Sequence, residues 1–173
     1  TIILGMAQQI KEQAPSKREN GLDLIIRNGQ NLLGLVNKML NLSKLENGKM
    51  TLELVQGDVI TFLRNLIESF LSLADNKDIQ LHFLPEVDIL MMDFDADKLQ
   101  QVISNLISNA FKFTPEGGHI YFSIRKEEAV VTIRIKDTGR GIPQEELDQV
   151  FERFYQVDNT ITRAYEGTGI GLA

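Results

Sequence analysis

The apolar positions of the chain change their period near residue 48. Before that point they recur in a seven-residue rhythm that is typical of a helix in a bundle. They are Leu22, Ile25, Ile26, Leu32, Leu33, Val36, Met39 and Leu40. A shorter apolar stripe occupies residues 1–13, and Ala14-Pro15-Ser16 separates the two stripes. The pattern predicts a helix over 1–13 and a second helix ending near Glu46, where Asn47-Gly48 forms a stop signal.

Two helices joined by a short loop bury little apolar surface by themselves. The stripe on the second helix is wide enough to need more than one partner. We therefore expect residues 1–48 to form half of a homodimeric four-helix bundle. The alternative is that these helices pack on the rest of the chain.

From residue 49 onward, the pattern predicts alternating strands and helices. Strands are predicted over 50–55, 79–84 and 89–94, and helices over 58–75, with Asp58 as the cap, and 96–113. Strict alternation then predicts two paired strands over 120–125 and 131–136, with a turn at 126–129. This arrangement is an α+β layer with helices on one face of a largely antiparallel sheet.

Composition excludes several classes of function. The net charge is −6, from 18 basic and 24 acidic residues, and there is no basic run that could follow a nucleic acid. The absence of cysteine excludes disulfides, thiolate metal sites and a cysteine nucleophile. No apolar stretch is long enough to span a membrane. We therefore expect a cytoplasmic fragment without nucleic-acid contacts.

A row of polar side chains follows one stripe of the helix predicted over 96–113. Gln101, Asn105, Asn109 and Lys112 are spaced by four, four and three residues. Asparagine is unfavourable inside a helix, so these amides suggest oxygens that face a cavity, where they could hold Mg²⁺. The alternative is a solvated polar flank. The neighbouring stripe is apolar and consists of Leu99, Val102, Ile103, Leu106, Ala110 and Phe113.

The segment Asp137-Thr138-Gly139-Arg140-Gly141-Ile142 follows the last predicted strand. Asp137 has the same parity as the apolar residues of that strand, so its carboxylate is expected on the core face. A charge there needs a hydrogen-bond donor, and the exocyclic amine of a purine is one. Gly139 and Gly141 would let the backbone approach a flat ring. The alternative is an ordinary strand end and turn.

A second glycine-rich segment, Gly167-Thr168-Gly169-Ile170-Gly171-Leu172, could present backbone N–H groups to an anion. It lacks the lysine of a P-loop and the preceding strand of a dinucleotide fingerprint. Residues 156–166, before it, are polar and aperiodic, which indicates a mobile lid. Arg163 is the lid residue whose charge suits a terminal phosphate, although a simple surface loop is the alternative.

Taken in order, these segments resemble the sensor histidine kinases. The stretch Asn105-Leu-Ile-Ser-Asn109-Ala-Phe-Lys112-Phe113 resembles their N box, and Asp137-Thr-Gly139-Arg-Gly141 resembles their G1 box. Phe151-Glu-Arg-Phe154 is similar to the F box and Gly167-Thr-Gly169-Ile-Gly171-Leu to the G2 box. The resemblance implies an α/β sandwich of the Bergerat type, the ATP-binding fold of the GHKL superfamily, over residues 49–173.

The resemblance also implies roles for single residues. Asn109, together with Asn105, would hold Mg²⁺, and Lys112 would contact phosphate. Phe113 would border the nucleotide and Asp137 would bind the adenine amine, beside Gly139 and Gly141. The glycine loop would wrap the triphosphate of ATP, and its residues are Gly167, Thr168, Gly169 and Gly171.

Residues 1–48 resemble the dimerisation and histidine-phosphotransfer hairpin of the same family. Thr1-Ile-Ile-Leu is similar to the segment that directly follows the H box, so the phospho-accepting histidine is expected outside this chain. His82 and His119 fall in strand positions and are interpreted as structural. By the same resemblance the ATP-binding domain is C-terminally incomplete at Ala173, and Gln156 replaces a frequent basic residue. We therefore expect the fragment alone to be inactive.

The leading hypothesis is a phosphotransferase of the two-component type, and in style the sequence resembles the hybrid sensors most. It would pass the γ-phosphoryl of Mg²⁺·ATP to a histidine on the dimerisation helix and then to an aspartate of a response-regulator receiver domain. Catalysis would come from positioning and from charge neutralisation by Mg²⁺, Lys112 and lid groups. The parent protein would be anchored in a bacterial inner membrane. The alternatives are an ATP-driven conformational clamp on the same fold, or a silent signalling scaffold.

Overall fold

The computed structural model describes residues 25–26, 28–30, 32–34, 36, 50–152 and 155. Contacts divide the chain into two units, Thr1–Thr51 and Leu52–Ala173, and each is described by itself. The helix expected over 1–13, its connector and both ends of the second helix lie outside the described residues. Within unit 1, all described residues from 25 to 36 are helical, which confirms a helix in that stretch.

The described apolar residues of this helix include four that are well exposed. Ile26, Leu32, Leu33 and Val36 keep between 48% and 62% of their surface accessible. An apolar helix face of this kind is what an unpaired bundle helix presents. The homodimer remains a prediction.

Unit 2 contains two small sheets and three helices in its described part. Its elements are β1 (Val55–Asp58), α1 (Val59–Glu68), α2 (Leu71–Asn76), β2 (Gln80–Pro85), β3 (Met91–Phe94), α3 (Ala96–Phe113), β4 (His119–Glu127), β5 (Val130–Asp137) and a 3₁₀ turn (Gln144–Glu146). Strands β1 and β3 pair antiparallel. In the second sheet, of order β2-β4-β5, the first pair is parallel and the second antiparallel. The α+β class is confirmed.

The core forms where α1, α3 and β4 meet. Alternation along β4 turns Ile120, Phe122 and Ile124 inward, and each is at most 1% exposed. They pack against the apolar faces of the two helices, where Leu63 and Ile107 are fully buried. Each such side chain stabilises the fold by about 1.5–3 kcal/mol through its burial.

Two predicted elements differ most from the structure. The first strand begins at Val55, where the prediction ended it. The reason is that its partner strand β3 pairs only with Val55–Asp58. The predicted helix over 58–75 breaks after Glu68. There the Ser69 hydroxyl donates to the Leu66 carbonyl at 2.6 Å, and the Phe70 N–H donates to the Ile67 carbonyl at 3.0 Å. These short-range bonds tighten the last turn and separate α1 from α2.

The start of α1 is the one that its sequence predicts. Asp58 caps the helix by accepting hydrogen bonds from the backbone N–H groups of Ile60 and Thr61. The Leu90 N–H donates to the same carboxylate at 2.8 Å, which ties the cap to the segment before β3. The Thr61 hydroxyl and then the Leu90 N–H lower the pKa of Asp58.

Candidate nucleotide site at the carboxyl end of α3

Helix α3 spans Ala96–Phe113, as predicted, and carries the polar stripe. Asn105, Asn109 and Lys112 are half-buried, whereas Gln101 is exposed. Within the described part of the chain, neither asparagine side chain has a hydrogen-bond partner. Half-buried amides that have no partner in the described ranges keep hydrogen-bonding capacity for a ligand.

The apolar stripe of α3 differs from the predicted one. The structure buries Ile103, Ile107, Ala110 and Phe111. Of the predicted stripe, Val102 is 53% exposed, and Leu106 and Phe113 are only half-buried. The reason is that Phe111, and not Phe113, stacks on Phe70, with ring centroids 6.1 Å apart. A partly open apolar band therefore lies between the core face and the amides.

Asp137 ends β5 on the core side of its sheet. Its register partner is Ile120, which is completely buried, and paired residues of adjacent strands share one face. The Asp137 carboxylate is nevertheless exposed. It accepts a hydrogen bond from the Gly139 N–H at 2.8 Å and keeps further acceptor capacity. The carboxylate therefore sits at an opening of the core, which corrects the predicted burial but keeps the predicted face.

The loop after Asp137 lies against the end of α3. A Cβ atom at Gly139 would come within 2.5 Å of the Phe113 carbonyl oxygen and 2.7 Å of the Asp137 Oδ1 atom. Gly139 is therefore required by the protein's own packing, whereas the sequence suggested an approach to a flat ring. Gly141 has a φ of +70°, which favours glycine for conformational reasons.

Two cations lie over the Phe113 ring. The Lys112 Nζ atom is 5.2 Å and the Arg140 Cζ atom 5.0 Å from its centroid. Desolvation, followed by the Arg140 charge, lowers the pKa of Lys112. Together with Asp137, this cluster offers an acceptor for an amine, an aromatic surface and two positive charges.

The residues also fit a magnesium ion by the chemistry of their donors. Mg²⁺ prefers hard oxygen ligands and is usually held by one or two protein groups together with substrate phosphates. No group of three histidine, cysteine, aspartate or glutamate residues gathers in the described ranges. The amide oxygens of Asn105 and Asn109 are hard donors of this kind and lie on the same helix as Lys112.

Comparison with known proteins identifies the family of the chain. Residues 94–173 match the family described as histidine kinase-, DNA gyrase B- and HSP90-like ATPase. The chain is 40% identical over 157 residues to the hybrid signal transduction histidine kinase D of Dictyostelium discoideum, covering 88% of the chain and 10% of that protein. It is 39% identical over 146 residues to the sensor histidine kinase WalK of Bacillus subtilis, covering 83% of the chain and 24% of that protein.

The chain belongs to the sensor histidine kinases. It spans between 10% and 24% of the length of the first curated relatives that it matches. Two solved histidine kinases have the same fold. Full-length ShkA in complex with AMPPNP has a TM-score of 0.78 at 26% identity, covering 98% of this chain and 35% of ShkA. Histidine kinase ThkA in complex with the response regulator TrrA has a TM-score of 0.70 at 22% identity, covering 90% and 46%. The expected Bergerat-type fold is confirmed.

The remaining predicted site residues of this histidine kinase sequence lie outside the described residues. They are Arg163, Gly167, Thr168, Gly169 and Gly171. Their roles stay predictions, and so does that of Phe154 in the F box. Phe151 is described and is 66% exposed.

Arg140 was not among the predicted site residues. Its position between Gly139 and Gly141, three residues after Asp137, was the available signal, because the flanking glycines leave Arg140 as the one long side chain of that loop. Sequence alone did not reveal that its guanidinium stacks on Phe113.

The two histidines lie in strands, as expected. The His82 Nε2 and His119 Nδ1 atoms are 3.1 Å apart, and the His82 ring stacks on Tyr121 at 4.6 Å. They lie on the face of the sheet opposite to Ile120 and Phe122, away from the core. None of the described helices is both long and apolar enough to cross a membrane.

Proposed function

We propose that this chain is the catalytic part of a two-component sensor histidine kinase, which binds ATP with Mg²⁺ and supplies its γ-phosphoryl group to a histidine. The observation that carries the proposal is the position of Asp137. An exposed carboxylate on the core face, held beside an open aromatic surface and two cations, suits a purine base with its phosphates.

Asp137 would recognise the base through the adenine amine. The Gly139 N–H orients the carboxylate and uses only part of its acceptor capacity. A hydrogen bond to an ionised acceptor contributes about 1.5–3 kcal/mol. A base without the amine would leave the Asp137 carboxylate without this donor, and its binding would be weaker. The half-buried Phe113 ring would border the base.

Asn105, Asn109 and Lys112 would act on the phosphates. The two amides would hold Mg²⁺, which neutralises negative charge on a transferring phosphoryl group. Lys112 would contact phosphate directly. Binding of an anion would favour the Lys112 ammonium, whose pKa is lowered by desolvation and then by the Arg140 charge. Residues Arg163, Gly167, Thr168, Gly169 and Gly171 would complete the phosphate contacts.

The rest of the proposed reaction involves other parts of the protein. Residues 1–48 would be the dimerisation hairpin of a homodimer, and residues 49–173 the catalytic domain. The exposed apolar residues of the helix in unit 1 support a second copy as the partner. The phosphoryl group would pass to an aspartate of a response regulator, the kind of protein with which ThkA was crystallised. Anchoring of the parent protein in a bacterial inner membrane belongs to the same proposal.

Nucleotide binding tests the site in this chain. Calorimetric titration with Mg²⁺·ATP should show binding that Asp137→Asn weakens by about 10- to 100-fold, because a hydrogen bond to a charged group is lost. Asp93→Asn is the matched control, since Asp93 is exposed on β3, far along the chain from the cluster. Equal affinities of the chain and its Asp137→Asn variant would contradict the site assignment.

Phosphotransfer is tested in the full-length protein with γ-labelled ATP. Protein-bound label that is acid-labile, alkali-stable and absent in Asn109→Ala supports a histidine kinase that uses this site. Release of inorganic phosphate without labelling of the protein would instead support a clamp ATPase, and an absence of ATP turnover would support a scaffold.

A further inference from the structure

The loop between Gly139 and Gly141 presents one long side chain, that of Arg140. Its guanidinium lies 5.0 Å from the centroid of the Phe113 ring, over which the Lys112 ammonium also lies at 5.2 Å. Two like charges on one aromatic ring repel each other. A cation–π contact at an exposed site is worth only about 0.5–1 kcal/mol, so the ring alone is a weak reason for the Arg140 guanidinium to lie there.

The loop is not free to move Arg140 away from this place. The Gly139 N–H donates to the Asp137 carboxylate at 2.8 Å, and the Gly139 backbone lies so close to the Phe113 carbonyl that no Cβ atom would fit. Arg140 is therefore carried by a backbone that is attached to both the base-recognising carboxylate and the end of α3. This attachment fixes the start of the side chain, while its guanidinium stays exposed.

Arg140 has no carboxylate partner among the described residues, in a chain whose net charge is −6. The desolvated Lys112 beside it is also disfavoured as a cation by the charge of Arg140. A ligand that carries several negative charges would remove this repulsion and pair with both groups. Guanidinium groups are especially suited to phosphate, because they donate two parallel hydrogen bonds.

We propose that Arg140 is a second phosphate-binding cation beside Lys112, and that it lets the site distinguish nucleotides by the number of their phosphates. This inference rests on the proposed function, because it assumes that the base lies at Asp137. Adenosine triphosphate would gain from Arg140, and adenosine monophosphate would gain little.

The test compares the affinities of ATP, ADP and AMP, each with Mg²⁺, for the 173-residue chain and three variants. Arg140→Gln should weaken ATP binding about tenfold or more, which is the usual effect of losing a hydrogen bond to a charged group, and should change AMP binding less than about twofold. Arg140→Lys should recover part of the loss, because it keeps the charge without the planar fork. Arg134→Gln is the control, since Arg134 is exposed on β5 and contacts no aromatic ring among the described residues.

Three outcomes would overturn the inference. An equal loss for all three nucleotides would place Arg140 on the part that they share, which is the adenosine with its first phosphate. A lower unfolding temperature with unchanged affinities would mean that Arg140 only complements the negative end of α3. A wild-type chain that binds none of the nucleotides would remove the proposed function itself, which distinguishes that failure from a failure of Arg140 alone.

Discussion

The two ends of α3 are built in opposite ways. At the amino end, Asp95 is only 8% exposed and accepts hydrogen bonds from the Lys98 N–H at 3.0 Å and the Glu53 N–H at 2.9 Å. At the carboxyl end, the buried Thr114 hydroxyl has no hydrogen-bond partner among the described residues, and a desolvated Lys112 shares an aromatic ring with Arg140. The protein itself satisfies the first end, whereas at the second end a buried hydroxyl has no described partner and two cations share one ring.

The pKa values of the two ends express this difference. Hydrogen bonds from Lys98 and then Glu53 lower the pKa of Asp95, which means that the fold favours its charged form. Desolvation and the Arg140 charge lower the pKa of Lys112, which means that the fold disfavours its charged form. A lowered pKa therefore favours the charged form of Asp95 at the amino end and disfavours the charged form of Lys112 at the carboxyl end. We interpret the amino end as structural and the carboxyl end as the part that binds.

The largest effect is expected from Gly139→Ala at the carboxyl end. The new Cβ atom would meet the Phe113 carbonyl oxygen at 2.5 Å, so the loop must move away from α3. We expect the free energy of unfolding to fall by about 1–3 kcal/mol, as for other overpacked sites, and Mg²⁺·ATP binding to be largely lost. Chemical denaturation and calorimetry measure the two effects.

Gly57→Ala is the matched control for that substitution. Its Cβ atom would meet the Phe94 ring at 3.5 Å, which is ordinary van der Waals contact. Its stability should stay within about 1 kcal/mol of the wild type, because the substitution mainly restricts the unfolded chain. If Gly139→Ala were as harmless as Gly57→Ala, the close approach of the loop to α3 would not exist in solution.

A smaller effect, confined to stability, is expected from Asp95→Asn at the amino end. Because the folded state lowers the pKa of Asp95, its contribution is complete above the ordinary aspartate value of about 3.9 and is lost as the pH falls through the lower folded value. The variant should melt earlier than the wild type at pH 7, and the difference should shrink on acidification below about pH 4.

Thermal unfolding across pH 2–7 measures this dependence, with Asp97→Asn as the control. Asp97 lies in the same first turn but is exposed, and its carboxylate accepts no hydrogen bond from a backbone N–H in the described part of the chain. Affinity for Mg²⁺·ATP should be the same in both variants at pH 7. A loss of affinity in Asp95→Asn alone would contradict the division of α3 into a structural and a binding end.

Sequence predicted the extent of α3 well because its signals are local. Asp95 caps one end, and Pro115 follows the other, so the helix spans 96–113 in both prediction and structure. Alternation along β5 also placed Asp137 on the correct face. The face of α3 was less predictable, because Phe111 and Phe113 are both apolar and only tertiary packing on Phe70 selects Phe111 for the core. The contact of Arg140 with Phe113 depends on the backbone path of a glycine loop. Such a loop has no hydrophobic periodicity from which its path could be predicted.

The smallest effect concerns the protonation of Lys112 and separates the two causes of its lowered pKa. Desolvation is the larger cause and the Arg140 charge the smaller, so Arg140→Gln should raise the pKa of Lys112 only part of the way to its ordinary value. Titration of the lysine side chain by NMR in the ligand-free chain measures the change, and Arg134→Gln should leave it unaltered. Saturation with Mg²⁺·ATP should raise the same pKa in the wild type, because phosphate favours the ammonium form. If neither Arg140→Gln nor the nucleotide changed the pKa of Lys112, the two cations and the phosphates would not be in contact at the carboxyl end of α3.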